Sequence, residues 1–299
     1  MQTTKRFTPN VLDRFHREGR GLGSFETFGG WHKVSRGDPS SRGYSALLNW
    51  RGRLRDLLST GELCAQLFVS MLPNLVDVRE QFPLAREFTL DRQQLMLGLG
   101  GDGPIEPGTL QSADDLGLRH PVVREHGRLA VWVMTTDLLL FFDPPQGKLS
   151  SLAVSIKDRP VDPDSRQWEL LAIEHDYWTR RGVPWILITP DQWDRRVLHT
   201  IQRLACWALG EPVSTESRRL ACDIARANPT SSVTDLVRRI GRRVREVDAG
   251  ERALWQAVWV GELPVDLRRG WRPHVPLKHI SAREFSELNP IAARRSAWI

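Results

Sequence analysis

Apolar positions first recur with a helical period at Leu63, Leu67, Phe68 and Met71, a run opened by Ser59-Thr60-Gly61-Glu62 and stopped by Pro73. Leu75–Phe82 then predicts a strand closed by Pro83, and the Gly- and Asp-rich stretch 99–119 predicts loop. Residues 129–141 are strongly β-prone and long enough to require a bend or break. Residues 143–148 predict a turn, and Leu149–Ile156 a second apolar strand. Arg166–Arg180 predicts a helix with Leu170, Leu171, Ile173, Tyr177 and Trp178 on its buried stripe, followed by a short buried strand over 184–189. Short apolar strands between helices imply a mixed α/β sheet covered on both faces.

The pattern changes after Pro190-Asp191. Residues 195–209, 217–227 and 233–247 predict three amphipathic helices, with a fourth apolar segment at 253–260. Residues 263–267, a turn at Arg268-Arg269-Gly270 and the segment from Trp271 then suggest a basic hairpin, and helices followed by a hairpin resemble a winged helix. The prolines at 264, 273 and 276 confine those strands to an edge. The expected organisation is therefore a catalytic domain over 1–190 and a winged-helix-like domain over 191–299. Within the first, residues 1–45 form an extended arm carrying loops at 19–23 and 36–43.

Charge sharpens this division. Of the 299 residues, 42 are basic and 36 acidic. Residues 1–190 hold 23 of each, whereas 191–299 hold 19 basic and 13 acidic, so the whole +6 excess lies in the last third. That asymmetry suits a polyanion such as a DNA backbone, with Arg238, Arg239, Arg242, Arg243 and Arg245 as candidate contacts. It also suits an ordinary solvated surface, since only 5 of the 42 basic residues are lysine. No apolar run approaches a membrane span, and the N-terminus has no secretory pattern. Cys64, Cys206 and Cys222 are odd in number and far apart, which argues against a disulfide framework or a zinc ribbon. A cytoplasmic protein is expected.

Four positions combine into a chemical hypothesis. Asp137 lies inside an apolar strand, where a charge needs a partner or a metal. Ser155 and Lys157 close the next apolar strand, and strand alternation places both on one face. If those strands are neighbours, Asp137, Ser155 and Lys157 converge, and Glu62 joins them from the preceding helix. Two carboxylates, a further oxygen and a lysine suit Mg²⁺-dependent phosphodiester hydrolysis. Each residue has a plainer role open to it. Glu62 completes the capping box Ser59-x-x-Glu62, Asp137 can end a strand or pair with an arginine, and Lys157 can be the first solvated residue past a strand. Glu174, on the following helix, either reaches the site as an accessory or is a surface charge.

Several segments together resemble the TnsA family, the endonuclease subunits of heteromeric transposases. They are Glu18-Gly19-Arg20-Gly21 with Gly23, Leu58-Ser59 with Glu62-Leu63, Val76 to Leu84 with its Arg79-Glu80-Gln81-Phe82-Pro83 run, Gly117 to Pro121, Met134 to Asp137, Ile156-Lys157, Glu174 to Trp178 and Val183-Pro184-Trp185. The resemblance covers about residues 15–190. It implies a restriction-endonuclease-like domain of the PD-(D/E)xK kind that cuts the 5′, non-transferred strands at transposon ends. It places the family's catalytic residues on Glu62, Asp137 and Lys157; metal ligation is then expected from Glu62 and Asp137, assisted by Ser155, with the Ile156 backbone carbonyl as the ligand where the Ser155 hydroxyl does not reach the ion. Mg²⁺, with Mn²⁺ able to substitute, is the implied cofactor. The implied partners are double-stranded DNA, a TnsB-like transposase and a TnsC-like AAA+ ATPase, the latter engaged by the C-terminal domain, on nucleoid DNA. Ser155 departs from the pattern, because the family usually carries Gln there and related nucleases an acid. A hydroxyl is shorter and neutral, which leaves open a catalytically weak assembly factor bridging TnsB, TnsC and DNA.

Overall fold

The computed structural model describes residues 6–40, 45–90, 105–143, 149–245 and 247–298. The chain divides into two compact units. One comprises 1–63, 74–190 and 297–299, and the other 64–73 and 191–296. The change of unit at 190 coincides with the change in sequence character. Residues 64–73 and 297–299 fall on the side opposite to the one expected for them.

In the first unit, α1 (Pro9–Arg17) begins with Thr8 capping the Val11 N–H and proline at its first turn. Leu12 and Phe15 bury against Trp31 and Val133, so part of the expected extended arm is a packed amphipathic helix. The hairpin β1 (Ala46–Trp50) and β2 (Arg53–Leu57) leads into α2 (Thr60–Ser70), which crosses from the first unit into the second. Then come β3 (Leu75–Pro83), the short pair β4 (Thr89–Leu90) and β5 (Ile105–Glu106), and α3 (Thr109–Asp115). Residues 109–115 are thus helical where loop was expected, and the expectations for 99–104 and 144–148 fall outside the described residues. The long β-prone stretch breaks at 132–134. Before the break β7 (Arg128–Val131) pairs with β6 (Val122–Glu125), and after it β8 (Thr135–Phe142) joins the main sheet.

That sheet has the order β10-β9-β8-β3, with β9 at Ser150–Ile156 and β10 at Trp185–Ile188. β3, β8 and β9 are antiparallel neighbours, whereas β9 and β10 run parallel and are joined by the crossover helix α4 (Arg166–Arg180). Leu139, Phe141, Ala153 and Leu187 bury against Leu171, Trp178 and Phe82 in one core. The β3 strand carries charge into this interior. Arg79 is fully buried, bonded to Asp77 at 2.8 Å with its guanidinium 4.6 Å from the Phe141 ring. Glu80 is fully buried between Arg53 and Arg55 of β2, and both arginines also donate to the Val78 carbonyl.

The second unit is helical: α5 (Arg195–Ala208), α6 (Thr215–Ala227), α7 (Val233–Val244), α8 (Val247–Trp259) and α9 (Ala282–Glu287). The apolar segment at 253–260 lies largely in α8, whose Ala253, Leu254, Ala257 and Val258 form the buried centre. A Cβ at Gly250 would stand 2.6 Å from the Gly241 nitrogen, so glycine there permits α7 and α8 to approach closely. The expected basic hairpin is not formed. Among the described residues 191–296 there are no strands, only the isolated bridges Val265–His279 and Ser232–Pro276. Prolines 264, 273 and 276 have no N–H to donate, and the Pro273 and Val275 carbonyls instead accept from Thr234 and Val233 at the start of α7.

Removing the carboxylate at the β2–β3 contact strands two buried guanidinium groups. Glu80→Ala should therefore cost about 3–5 kcal/mol in urea unfolding. An unchanged midpoint would show that water or another acid replaces it.

Candidate active site

Glu62 is positioned by the start of α2. Ser59 Oγ accepts from the Glu62 N–H at 3.1 Å, and Glu62 Oε2 accepts from the Leu58 N–H at 3.0 Å. The capping geometry is thus present, shifted one residue from a reciprocal box. Capping does not exhaust this side chain, because Glu62 Oε2 also accepts from Gln81 Nε2 at 3.2 Å. The same amide donates to Asp137 Oδ1 at 3.3 Å. Gln81 thereby joins the two acids, and it does so from a backbone with φ of 49°, a left-handed conformation that a non-glycine residue adopts only under constraint.

Asp137 stands where the pairing of β8 with β9 stops, at Leu138–Val154. Two residues beyond Val154, the Ile156 N–H donates to Asp137 Oδ2 at 2.7 Å. Lys157 Nζ reaches the same Oδ2 at 3.2 Å and the Ile156 carbonyl at 2.9 Å. Glu62, Gln81, Asp137, Ile156 and Lys157 line a cleft of about 380 Å³, with His32 among the other lining residues.

Ser155 and Glu174 are not in that lining. Ser155 is fully buried, and its hydroxyl donates to Glu174 Oε1. The same oxygen accepts from Thr136 Oγ1 at 2.7 Å and Trp185 Nε1 at 3.1 Å. Glu174 is therefore a buried acceptor rather than a surface charge. The alternation that paired Ser155 with Lys157 fails because β9 ends at Ile156, and beyond a strand's end the period of two no longer dictates direction.

Burial, and then the nearby charge of Asp137, push the Glu62 carboxyl up to about 8 against its hydrogen bonds and Lys157. Burial works against the Lys157 ammonium. The carboxylates of Asp137, Glu174 and Glu62 outweigh it and hold its pKa above the ordinary lysine value. Burial, and then Asp137, raise Glu174 as well. Burial and Arg20 lower His32 to about 4, so this cleft residue is neutral at physiological pH.

Once Glu62 releases its proton, two acids sharing one amide beside a single ammonium leave negative charge that a hard dication would satisfy. Among the described residues no three His, Cys, Asp or Glu side chains are grouped as a metal cage. Mg²⁺ does not require one, since it keeps several waters and takes one or two carboxylates. The oxygen donors here fit that ion.

Residues 72–190 match the family model described as "TnsA-like endonuclease N terminal". Over that stretch the chain is TnsA-like. The match includes Gln81, Asp137, Ser155, Lys157 and Glu174 and begins ten residues after Glu62. The chain is also 29% identical over 198 residues to the Transposon Tn7 transposition protein TnsA of Escherichia coli. That similarity covers 66% of this chain and 63% of that protein, so the chain spans under two thirds of the relative's length. Gln81 and His32 received no role from the sequence. For Gln81 the sequence offered only a polar residue inside the predicted strand; that every position from 77 to 83 is buried is visible in the structure alone.

The raised Glu62 pKa fixes a sign for pH dependence. The folded chain holds this proton between about pH 4.5 and 8 while the unfolded chain has released it, so stability falls as pH rises through that window and levels off above it. Urea titrations across this range should show wild type losing stability relative to Glu62→Gln, which cannot titrate. A difference independent of pH would refute the buried proton.

Proposed function

We propose that this chain is a Mg²⁺-dependent DNA endonuclease subunit of a heteromeric transposase. In this reading it hydrolyses the 5′, non-transferred strands at transposon ends to 5′-phosphate and 3′-hydroxyl products. The observation that carries it is the convergence of Asp137, Lys157 and Glu62 on one cleft, within or beside a TnsA-like segment. Glu62, Asp137 and the Ile156 carbonyl would hold the ion, and Ser155 contributes through Glu174 and not as a ligand. Held there, a dication would supply polarisation of the scissile phosphate and a lowered pKa for a water molecule. Glu62 gives up its proton to join the site, which ties activity to alkaline pH. Lys157 remains an ammonium, suited to orienting the attacking water and to stabilising charge on the pentavalent phosphorane. Gln81 keeps the two acids at a fixed separation. The expected partners are double-stranded transposon ends, a TnsB-like transposase and a TnsC-like AAA+ ATPase, with the helical second unit engaging the ATPase on nucleoid DNA. No described helix is long and apolar enough to cross a membrane.

A second reading rests on Ser155. With that position buried and bonded to Glu174, the cleft lacks the amide or acid the family usually places there. The chain would then be a nuclease-fold assembly factor bridging TnsB, TnsC and DNA.

A nicking assay with transposon-end DNA, Mg²⁺ or Mn²⁺ and the TnsB- and TnsC-like partners separates the two. The endonuclease reading predicts 5′-strand cuts that fall at least about 100-fold in Asp137→Ala while the fold and partner binding persist. Cuts undiminished in Asp137→Ala would overturn the assignment. Assembled complexes without cuts in either metal would favour the bridge.

A further inference from the structure

Glycine is among the poorest helix formers, yet the second residue of α2 is Gly61. Its backbone conformation does not demand glycine, since Gly61 is not among the residues with positive φ. The space around it does. A Cβ at this position would stand 2.6 Å from Asp158 Oδ1 and 3.1 Å from Ile156 Cγ2. The approach is close because the Gly61 N–H donates to Asp158 Oδ1 at 2.8 Å. This bond joins residues 97 positions apart, the first turn of α2 and the segment that leaves β9.

Both partners adjoin residues of the cleft. Asp158 follows Lys157 directly, and Gly61 precedes Glu62. The end of β9 is fixed on two other sides. The Ile156 N–H donates to Asp137 on β8, and the Lys157 N–H donates to the Ile188 carbonyl of β10 at 2.9 Å. The Asp158–Gly61 bond therefore ties the backbone that carries Glu62 to the backbone that carries Ile156 and Lys157. Gln81 holds the Glu62 side chain at 3.2 Å, but a side-chain contact alone leaves the helix beneath it free to shift.

Stability gives little reason for this pairing. Asp158 is exposed, and a hydrogen bond accepted by an exposed carboxylate competes with water and adds little to folding. Alanine at 61 would favour the helix, and the atom it displaces most is the tip of the Asp158 side chain. What the pair fixes is the position of Glu62 relative to the Ile156 carbonyl. Groups that orient metal ligands through hydrogen bonds govern metal affinity by roughly 10–100-fold.

We propose that Asp158 is a positioning residue, whose bond to the Gly61 N–H latches α2 onto the end of β9 and so holds Glu62 beside Asp137 and the Ile156 carbonyl for a divalent ion. This rests on the metal-dependent reading of the cleft. Titrating the full chain with Mn²⁺, followed by the paramagnetic resonance signal of the free ion, reads affinity without DNA, partners or cleavage. Asp158→Ala should weaken Mn²⁺ binding at least about tenfold and leave the urea midpoint unchanged. Asp158→Asn keeps a carbonyl oxygen able to accept the same N–H, so it should bind Mn²⁺ as wild type does. Gly61→Ala should reproduce the loss, because its methyl group pushes Asp158 Oδ1 aside. The double variant Gly61→Ala/Asp158→Ala should then bind no more weakly than either single variant, since both remove one interaction. Wild-type affinity in Asp158→Ala would overturn the latch. Equal losses in the alanine and asparagine variants would show that the charge acts directly, and losses that add would show two separate effects; either result overturns it as well. Mn²⁺ binding that Asp137→Ala abolishes and Asp158→Ala spares would remove the latch alone, whereas wild type that takes up no Mn²⁺ would remove the metal-dependent reading and the latch together.

Discussion

The fold's chemistry depends on how the Asp137 carboxylate extends the β8–β9 ladder beyond the point where its backbone pairing stops. Beyond Leu138–Val154 the Asp137 side chain accepts the Ile156 N–H at 2.7 Å. An ionised oxygen accepting a backbone N–H makes a strong bond, and the same oxygen holds Lys157 at 3.2 Å. One side chain therefore fixes both the end of β9 and the position of the ammonium. The apolar interior around Leu138, Leu139 and Val154 favours this pairing, because a charge at its edge has few other ways to be satisfied.

A second layer of polar groups lies beneath. Thr136, Ser155, Trp178 and Trp185 form a buried hydrogen-bond network around Glu174. Burial, and then the charge of Asp137, raise the Glu174 pKa, while Lys157 and the Ser155 and Thr136 hydroxyls draw it down. This network spans β8, β9, β10 and α4. It gives the sheet a reason to keep its geometry independent of the cleft chemistry. Ser155 belongs to this layer, which explains how a hydroxyl can occupy a position where a ligand was expected.

The sheet strands and most helices were legible because their apolar periods are strong, from the stripe on α4 to the continuous run Leu138–Phe141. The contact of Asp137 with Lys157 was legible for a related reason, since charged residues ending adjacent apolar strands have few places to go. Other features were not legible. The α1 helix hides in a segment whose few apolar residues, Leu12 and Phe15, only gain meaning once Trp31 is beside them. The direction of Ser155 depends on where a ladder ends, which alternation alone does not encode. The missing hairpin in the second unit follows from carbonyls of 273 and 275 serving the α7 N-terminus, a long-range choice that leaves no local trace except proline. Gln81 shows a further limit, because its role comes from a left-handed backbone that no sequence pattern announced.

The central claim is that Glu62 and Asp137 together form the seat of a divalent ion, with Lys157 beside it. Anomalous scattering from crystals of the intact chain grown with Mn²⁺ tests this directly. The account predicts a peak bonded to carboxylate oxygens of both Glu62 and Asp137 and within reach of the Ile156 carbonyl. Absence of density there at saturating Mn²⁺, with Asp137 still paired to Lys157 and Glu62 still joined to Gln81, would contradict it.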